Sequence, residues 1–291
     1  MKMSNLSLFC DELALLPSES VSSIKTEGIK YAGSKKKLLP QILSLAKKVN
    51  AKTVLDGFSG TTRVSQAFSL VVITSLINAL DKVDSTLGHF VSYLNEWSSR
   101  SYSLMNLEMP AFLNQTQDHK VVRSDIFDLL PQCSVDLAYF DPPYGSNNEK
   151  MPPSRVRYSA YYHVWTSICN HDKPEVFGKA KRRIETSDKL GASVFEEFRK
   201  NSDGQLIAVQ AIEKLLNEVN AKHVILSYSS GGRATAEQLN SAISKSGEII
   251  EILEVDHKKN VMADMRWTSE WVRDAETPNK EFLFLIRKSR P

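Results

Sequence analysis

The chain of 291 residues predicts an α/β protein built on a mostly parallel sheet with helices on both faces. Three observations carry that expectation. Short apolar runs of strand length alternate with longer stretches whose apolar residues recur at helical spacing. One run, Thr53-Val-Leu-Asp-Gly-Phe-Ser-Gly60, passes through Gly57 and Gly60 into Thr61–Phe68, which reads as the first turns of a helix. Another, Val135-Asp-Leu-Ala-Tyr-Phe140, closes in Asp141-Pro142-Pro143-Tyr144. The C-terminal ends of strands are where sheets of this class hold their ligands.

Taken in order, residues 1–27 are a leader, serine-rich from Pro17 to Thr26, and the first strand is expected at 53–56. Val71 to Thr74 admits a short strand. Over 78–97, the spacing of Leu80, Val83, Leu87, Phe90, Val91 and Leu94 predicts a core-facing helix. Strands follow at 120–124 and 135–140, and a second core helix over 205–219 carries Leu206, Val209, Ile212, Leu215 and Leu216. The last strands are expected at 223–228, 248–255 and 281–287. No internal repeat interrupts the pattern.

Composition excludes some classes and proves none. With 42% hydrophobic and 24% charged residues, the chain can bury one large core and carry a small insert. A net charge of +3 is too mild to establish a nucleic-acid partner. Cys10, Cys133 and Cys169 have neither metal-ligand nor C-x-x-C spacing, so the expectation is reduced thiols in a cytoplasmic protein, without a disulfide framework or bound metal. The start turns acidic at Asp11-Glu12, and the longest apolar run, Leu70 to Leu80, is too short to span a bilayer. Neither export nor membrane insertion is expected.

Two motifs carry chemistry. After the strand at 53–56, glycines allow close backbone approach to a ligand and the following helix offers free N–H groups. The segment lacks G-x-G-x-x-G, which predicts a ligand without pyrophosphate; a plain strand-to-helix turn is the alternative. In Asp141-Pro142-Pro143-Tyr144 the prolines fix φ and remove two N–H donors, so the Asp141 carboxylate and the Pro142 carbonyl can both accept from one exocyclic NH₂. Tyr144 offers an aromatic face to a flat base. A strand followed by a Pro-Pro turn is the bland alternative.

These motifs, with Lys30-Tyr-Ala-Gly-Ser-Lys35 before them and Ser124-Asp-Ile-Phe-Asp-Leu-Leu-Pro131 between them, occur in the order found in a known family. The chain resembles the adenine-N6 DNA methyltransferases with a D-P-P-Y motif, the Dam-like and restriction-modification enzymes that use S-adenosyl-L-methionine. Tyr161-Tyr-His-Val-Trp165, Asp172-Lys-Pro174 and Ile225-Leu-Ser-Tyr-Ser-Ser-Gly231 resemble its later segments, so the likeness runs from about residue 28 to the C-terminus. It implies a Rossmann-like methyltransferase sheet, mostly parallel with an antiparallel last strand. The catalytic domain would comprise 28–144 and 223–291, with 145–222 inserted for DNA recognition. It also implies cofactor contacts: Tyr31 and Lys35 at the amino-acid end of S-adenosyl-L-methionine, Asp56, Phe58, Ser59 and Gly60 around its methionine portion, and Asp125 with Ile126 at its adenine.

The chain departs from the family in one place. Ala67-Phe68-Ser69 runs almost at once into Leu70–Leu80 and Asp81–Phe90, which resembles a later helix. The family's second strand, whose acidic tip grips the ribose hydroxyls, is missing. One strand–helix unit is therefore expected to be absent, and cofactor binding weakened or lost.

The span from Gly145 to Lys222 is too long for an ordinary connection. Its Lys173, Lys179, Lys181, Arg182 and Arg183 can hold phosphates or merely be solvated, and Tyr158, Tyr161, Tyr162, His163 and Trp165 can stack on bases or pack the insert, with packing favoured for at least two. Residues 257–279, with Lys258, Lys259, Arg266, Trp267, Trp271 and Arg273, form a second long loop able to touch DNA. Three functions follow: an adenine-N6 methyltransferase acting on a flipped adenine of double-stranded DNA, with or without a cognate restriction endonuclease; a DNA-binding remnant of one; or a methyltransferase for RNA or a protein amide.

Overall fold

The computed structural model describes residues 38–58, 68–108, 120–145, 157–187, 190, 193–256 and 280–289. Its centre is a five-stranded sheet in the order β1-β2-β5-β7-β6, from β1 (Val54–Asp56), β2 (Val135–Phe140), β5 (Ala221–Ser229), β6 (Gly247–Asp256) and β7 (Lys280–Lys288). β1 pairs parallel with β2 and β2 with β5, whereas β7 runs antiparallel to both β5 and β6. The fold expectation holds, including the antiparallel last strand. A separate two-stranded ribbon joins β3 (Val176–Phe177) to β4 (Arg182–Arg183).

Side chains alternate across the pleat and divide the core in two. On one face Ala138, Phe140, Val224, Leu226, Tyr228 and Ile286 pack with Ala211, Ile212, Leu215 and Leu216 of α5 (Ile207–Glu218) and Leu239 and Ile243 of α6 (Ala236–Ser246). On the other, Leu137, Ile225, Leu283 and Leu285 pack with Leu38 and with Leu45 of α1 (Leu39–Lys48). The second half of 145–222 thus returns to the sheet through α5, close to its expected 205–219.

Local chemistry sets the helix ends. α1 opens on Pro40, whose missing N–H is one the first turn cannot use, and closes on Lys47 and Lys48, whose charges suit the carbonyl end. In α6 the Thr235 hydroxyl accepts from the Gln238 N–H while the Gln238 side chain accepts from the Thr235 N–H.

At the opposite end of β2 from Asp141, Asp136 ties three segments together. Its Oδ2 accepts from the Lys52 N–H, the Thr53 N–H and the Thr53 hydroxyl, each at 3.1 Å, and its Oδ1 takes the Lys222 ammonium at 2.7 Å. Lys222 first, then these donors, hold its carboxyl down at about 2 against the effect of burial.

Two expectations about elements are corrected, and one open reading is closed. The helix over 78–97 is instead the end of α2 (Phe68–Val83), followed by a closed loop. Asp84 stops the helix, because its carboxylate accepts from the Thr86 N–H and hydroxyl and pairs with Arg100. The loop then closes on itself as Leu94 N–H donates to the Ser85 carbonyl and Leu87 N–H to that of Ser92. The possible strand at 71–74 lies within α2. Residues 120–124 are not a strand: no described strand pairs with them, and Val121 and Val122 are exposed.

Among the described residues β1 forms the sheet's outer edge, with Val54 exposed there, in keeping with the missing strand–helix unit.

Candidate active site

The C-terminal ends of β1 and β2 meet through Gly57, whose N–H donates to the Tyr139 carbonyl at 2.9 Å. Any side chain at this point would force a neighbour to move. A Cβ on Gly57 would stand 2.6 Å from the Phe140 ring and 3.1 Å from the Ile126 side chain. Close packing therefore draws three sequence motifs to one rim: the glycine turn after β1, the start of α3 (Ile126–Leu129) and the end of β2. An aromatic cluster fills the space below. Phe58 meets Phe140 edge-on at 6.1 Å and Phe195 at 5.3 Å, and Phe127 stacks on Phe195 at 5.8 Å.

Asp56 ends β1 on this rim, its Oδ1 accepting from the Phe58 N–H at 3.2 Å. Burial pushes its carboxyl up to about 6, with the Phe58 bond acting the other way. The residue as a whole is exposed, so the effect on stability is a small fraction of what a sealed carboxyl would feel. Asp125 is the N-cap of α3, accepting from the Phe127 N–H at 2.9 Å, and is exposed, while Ile126 is buried beneath it. Tyr31, Lys35, Ser59 and Gly60 lie outside the described residues.

Asp141 follows β2 directly. It and Tyr144 are half-buried, Pro142 is buried and Pro143 half-buried. Gly145 then turns the chain with φ +54, a conformation side chains disfavour. The Tyr144 ring leans on that of Tyr228 at 5.3 Å, and the Tyr144 carbonyl accepts from the Arg233 N–H at 2.8 Å. Tyr228 is sealed: its hydroxyl oxygen accepts from the Ala234 N–H at 3.0 Å, and burial pushes its pKa up to about 12. Arg233, Phe195 and Phe198 are not among the residues expected from sequence, for no local pattern shows that they reach this rim.

In the inserted segment, His163 and Trp165 of α4 (His163–Asn170) are buried, so both belong to the packing. The His163 Nε2 is 2.8 Å from the Phe90 carbonyl, and the Trp165 ring meets that of Phe90 at 4.7 Å. Arg183 is buried too, bridging Asp172, Glu185 and the Ser167 hydroxyl. Arg182 lies over the Phe177 ring at 4.6 Å. Lys173, Lys179 and Lys181 are exposed. The loop at 257–279 lies outside the described residues. Among the described residues no cluster of side chains could hold a metal ion, and no helix is long and apolar enough to cross a membrane.

A mostly parallel sheet that gathers a glycine turn, an Asp-capped helix and an Asp-Pro-Pro-Tyr corner at the ends of adjacent strands is the Rossmann-like fold of the methyltransferases. Comparison with known proteins gives the branch. The chain belongs to the D12 class N6 adenine-specific DNA methyltransferases, whose family model matches residues 31–78 and 68–194, more than half of it. The two pieces overlap in α2, at the point where the family's order is interrupted.

Among curated relatives, the modification methylase LlaI of Lactococcus lactis subsp. lactis is 28% identical over 60% of this chain and 26% of its own length. The type II methyltransferase M.FokI of Planomicrobium okeanokoites is 23% identical over 81% of this chain and 33% of its own, and M.NlaIII of Neisseria lactamica is 22% identical over 73% and 58%. The chain thus spans about a quarter to a third of LlaI and M.FokI. No solved structure matches it.

Proposed function

We propose that the chain transfers a methyl group from S-adenosyl-L-methionine to the N6 of an adenine flipped from double-stranded DNA, in the cytoplasm, with Asp141, Pro142, Pro143 and Tyr144 as the reacting corner. The observation that carries this reading is the corner's position at the end of β2, directly after Phe140, whose ring packs against the glycine turn of β1 beside the Ile126 side chain of α3. Adenine's amino nitrogen is a poor nucleophile because its lone pair is delocalised into the ring. The Asp141 carboxylate and the Pro142 carbonyl, accepting one amino hydrogen each, favour the pyramidal geometry in which that pair is available. Tyr144 stacks on the extruded base, which lies out of reach inside a duplex.

The methyl donor would supply an electrophilic carbon on a sulfonium. Asp56, Phe58, Ser59, Gly60, Asp125, Ile126, Tyr31 and Lys35 are its proposed contacts. The raised carboxyl of Asp56 fits a cationic ligand, since a positive charge beside it would restore the ionised form that burial disfavours. Exposed Lys179 and Lys181 on the β3–β4 ribbon are the proposed phosphate contacts, whereas buried Arg183 holds the ribbon in place. A cognate restriction endonuclease acting on the same site is a further proposal by analogy with the family.

A specific observation favours a second reading. The sheet ends at β1 among the described residues, which removes the neighbour that would complete the cofactor pocket and makes a catalytically impaired, DNA-binding remnant the alternative. Methyl transfer from labelled S-adenosyl-L-methionine to unmethylated genomic DNA, resolved as nucleosides, decides between them. Label in N6-methyladenine that falls by a factor of about 10²–10³ or more in Asp141→Ala supports the enzyme. No label from a folded wild-type chain, together with retained salt-dependent DNA binding, supports the remnant.

A further inference from the structure

The turn after β5 carries an arginine into the wall of the Asp141–Tyr144 corner. Arg233 is held at several points: its N–H donates to the Tyr144 carbonyl at 2.8 Å, and its Cγ lies 3.2 Å from where a Cβ on Gly145 would stand. Its guanidinium carbon sits 5.7 Å from the centre of the Phe198 ring. The same ring carries a second guanidinium, that of Arg157, at 5.6 Å. Arg157 is buried and donates to a backbone carbonyl, so its role is internal, while Arg233 is only half-buried.

Two guanidiniums flank one aromatic ring beside a corner whose own groups suit a neutral base, while the Glu197 carboxylate is taken up by the Phe198 and Arg199 N–H groups and the Arg199 side chain. The base makes no use of that charge. A phosphate does, because a guanidinium presents a planar fork of donors matched to phosphate oxygens. We infer that Arg233 is a substrate-binding residue that holds a phosphate attached to the deoxyadenosine whose amino group enters the Asp141 corner. This rests on reading the corner as an adenine site. Arg233 then links two requirements of the reaction: the backbone contact that keeps the flipped nucleotide out of the stack also meets the residue that fixes the Tyr144 carbonyl.

Small ligands test this without knowledge of the recognition sequence. Wild-type protein, Arg233→Gln and Arg233→Lys, each shown to be folded by circular dichroism, are titrated calorimetrically with deoxyadenosine and with its 5′- and 3′-monophosphates. The expected result is that the wild type binds one monophosphate about tenfold or more tightly than the nucleoside, the scale of one charge-assisted hydrogen bond. Arg233→Gln should abolish that preference without changing nucleoside affinity, and Arg233→Lys should keep part of it. In the wild type the preference should shrink between low and high salt, a readout that does not depend on either variant folding. Equal wild-type affinity for nucleoside and both monophosphates, or a preference that survives in Arg233→Gln, overturns the assignment of Arg233 alone. A wild type that binds none of the three overturns the adenine reading of the corner, and this inference with it.

Discussion

Gly57 shows how one missing methyl group shapes the site. The 2.6 Å approach of a would-be Cβ to the Phe140 ring leaves no room for alanine unless β1 or the ring moves, and the ring is fully buried. Gly57→Ala is expected to destabilise the fold by about 1–3 kcal/mol, measured by urea unfolding, with loss of methyl transfer beyond that explained by unfolding. Asp56 makes a pH prediction. Its folded-state pKa, about 6, lies above the unfolded value of 3.8, so between these values the folded state holds more protons than the unfolded one. Its favourable contribution is complete below about pH 4 and is lost as pH rises through 6. Asp56→Asn should remove that component, leaving a flatter profile of unfolding free energy between pH 4 and 6. An unchanged slope would show that burial does not perturb this carboxyl.

Among the elements, the β3–β4 ribbon separates charge that binds from charge that builds. Sequence alone groups Lys179, Lys181, Arg182 and Arg183 as one basic run, yet Arg183 is buried against Asp172, Glu185 and Ser167. Replacing Lys179 and Lys181 together by alanine should lower the salt dependence of duplex binding by about 0.9 in log–log slope for each phosphate no longer neutralised, with thermal stability unchanged. Arg183→Ala should instead speed proteolytic cleavage within 172–187, because it strands the carboxylates that orient the ribbon. If the lysine pair leaves the salt slope unaltered, the ribbon does not touch DNA. The loop at 84–98 likewise departs from its pattern: Leu87, Phe90, Val91 and Leu94 have helical spacing but half-bury their side chains from a closed loop, because the Asp84 carboxylate accepts from the Thr86 N–H and hydroxyl and turns the chain out of the helix.

At the scale of the whole molecule, the question is whether a sheet ending at β1 still holds the methyl donor. Ligand that binds only the folded state stabilises it by about 2.7 kcal/mol at a hundredfold excess over Kd. S-adenosyl-L-methionine should therefore raise Tm by several degrees at millimolar concentration if the pocket is competent, read by differential scanning fluorimetry. An unmoved Tm, with DNA binding intact, marks the chain as the remnant.

How far the sequence reached follows from where the forces act. Strands β2, β5, β6 and β7 were legible within a few residues, as was α5, because each buries an apolar pattern whose period is set by its own backbone. The Asp141 corner was legible as a linear motif closing a strand, and the order of the motifs predicts a unit missing after the glycine turn, beyond which no described strand pairs with β1. The strand expected at 120–124 was not, since a strand exists only through hydrogen bonds to a neighbour, and no described strand supplies them. Only the tertiary structure decided that Gly57 binds the three motifs to one rim, that Arg183 is internal, and that Arg233 reaches the corner from a distant segment with Phe198 beside its guanidinium. Residue type and local period are written along the chain, whereas burial, shifted carboxyls and contacts between remote residues arise only when packing brings those segments together.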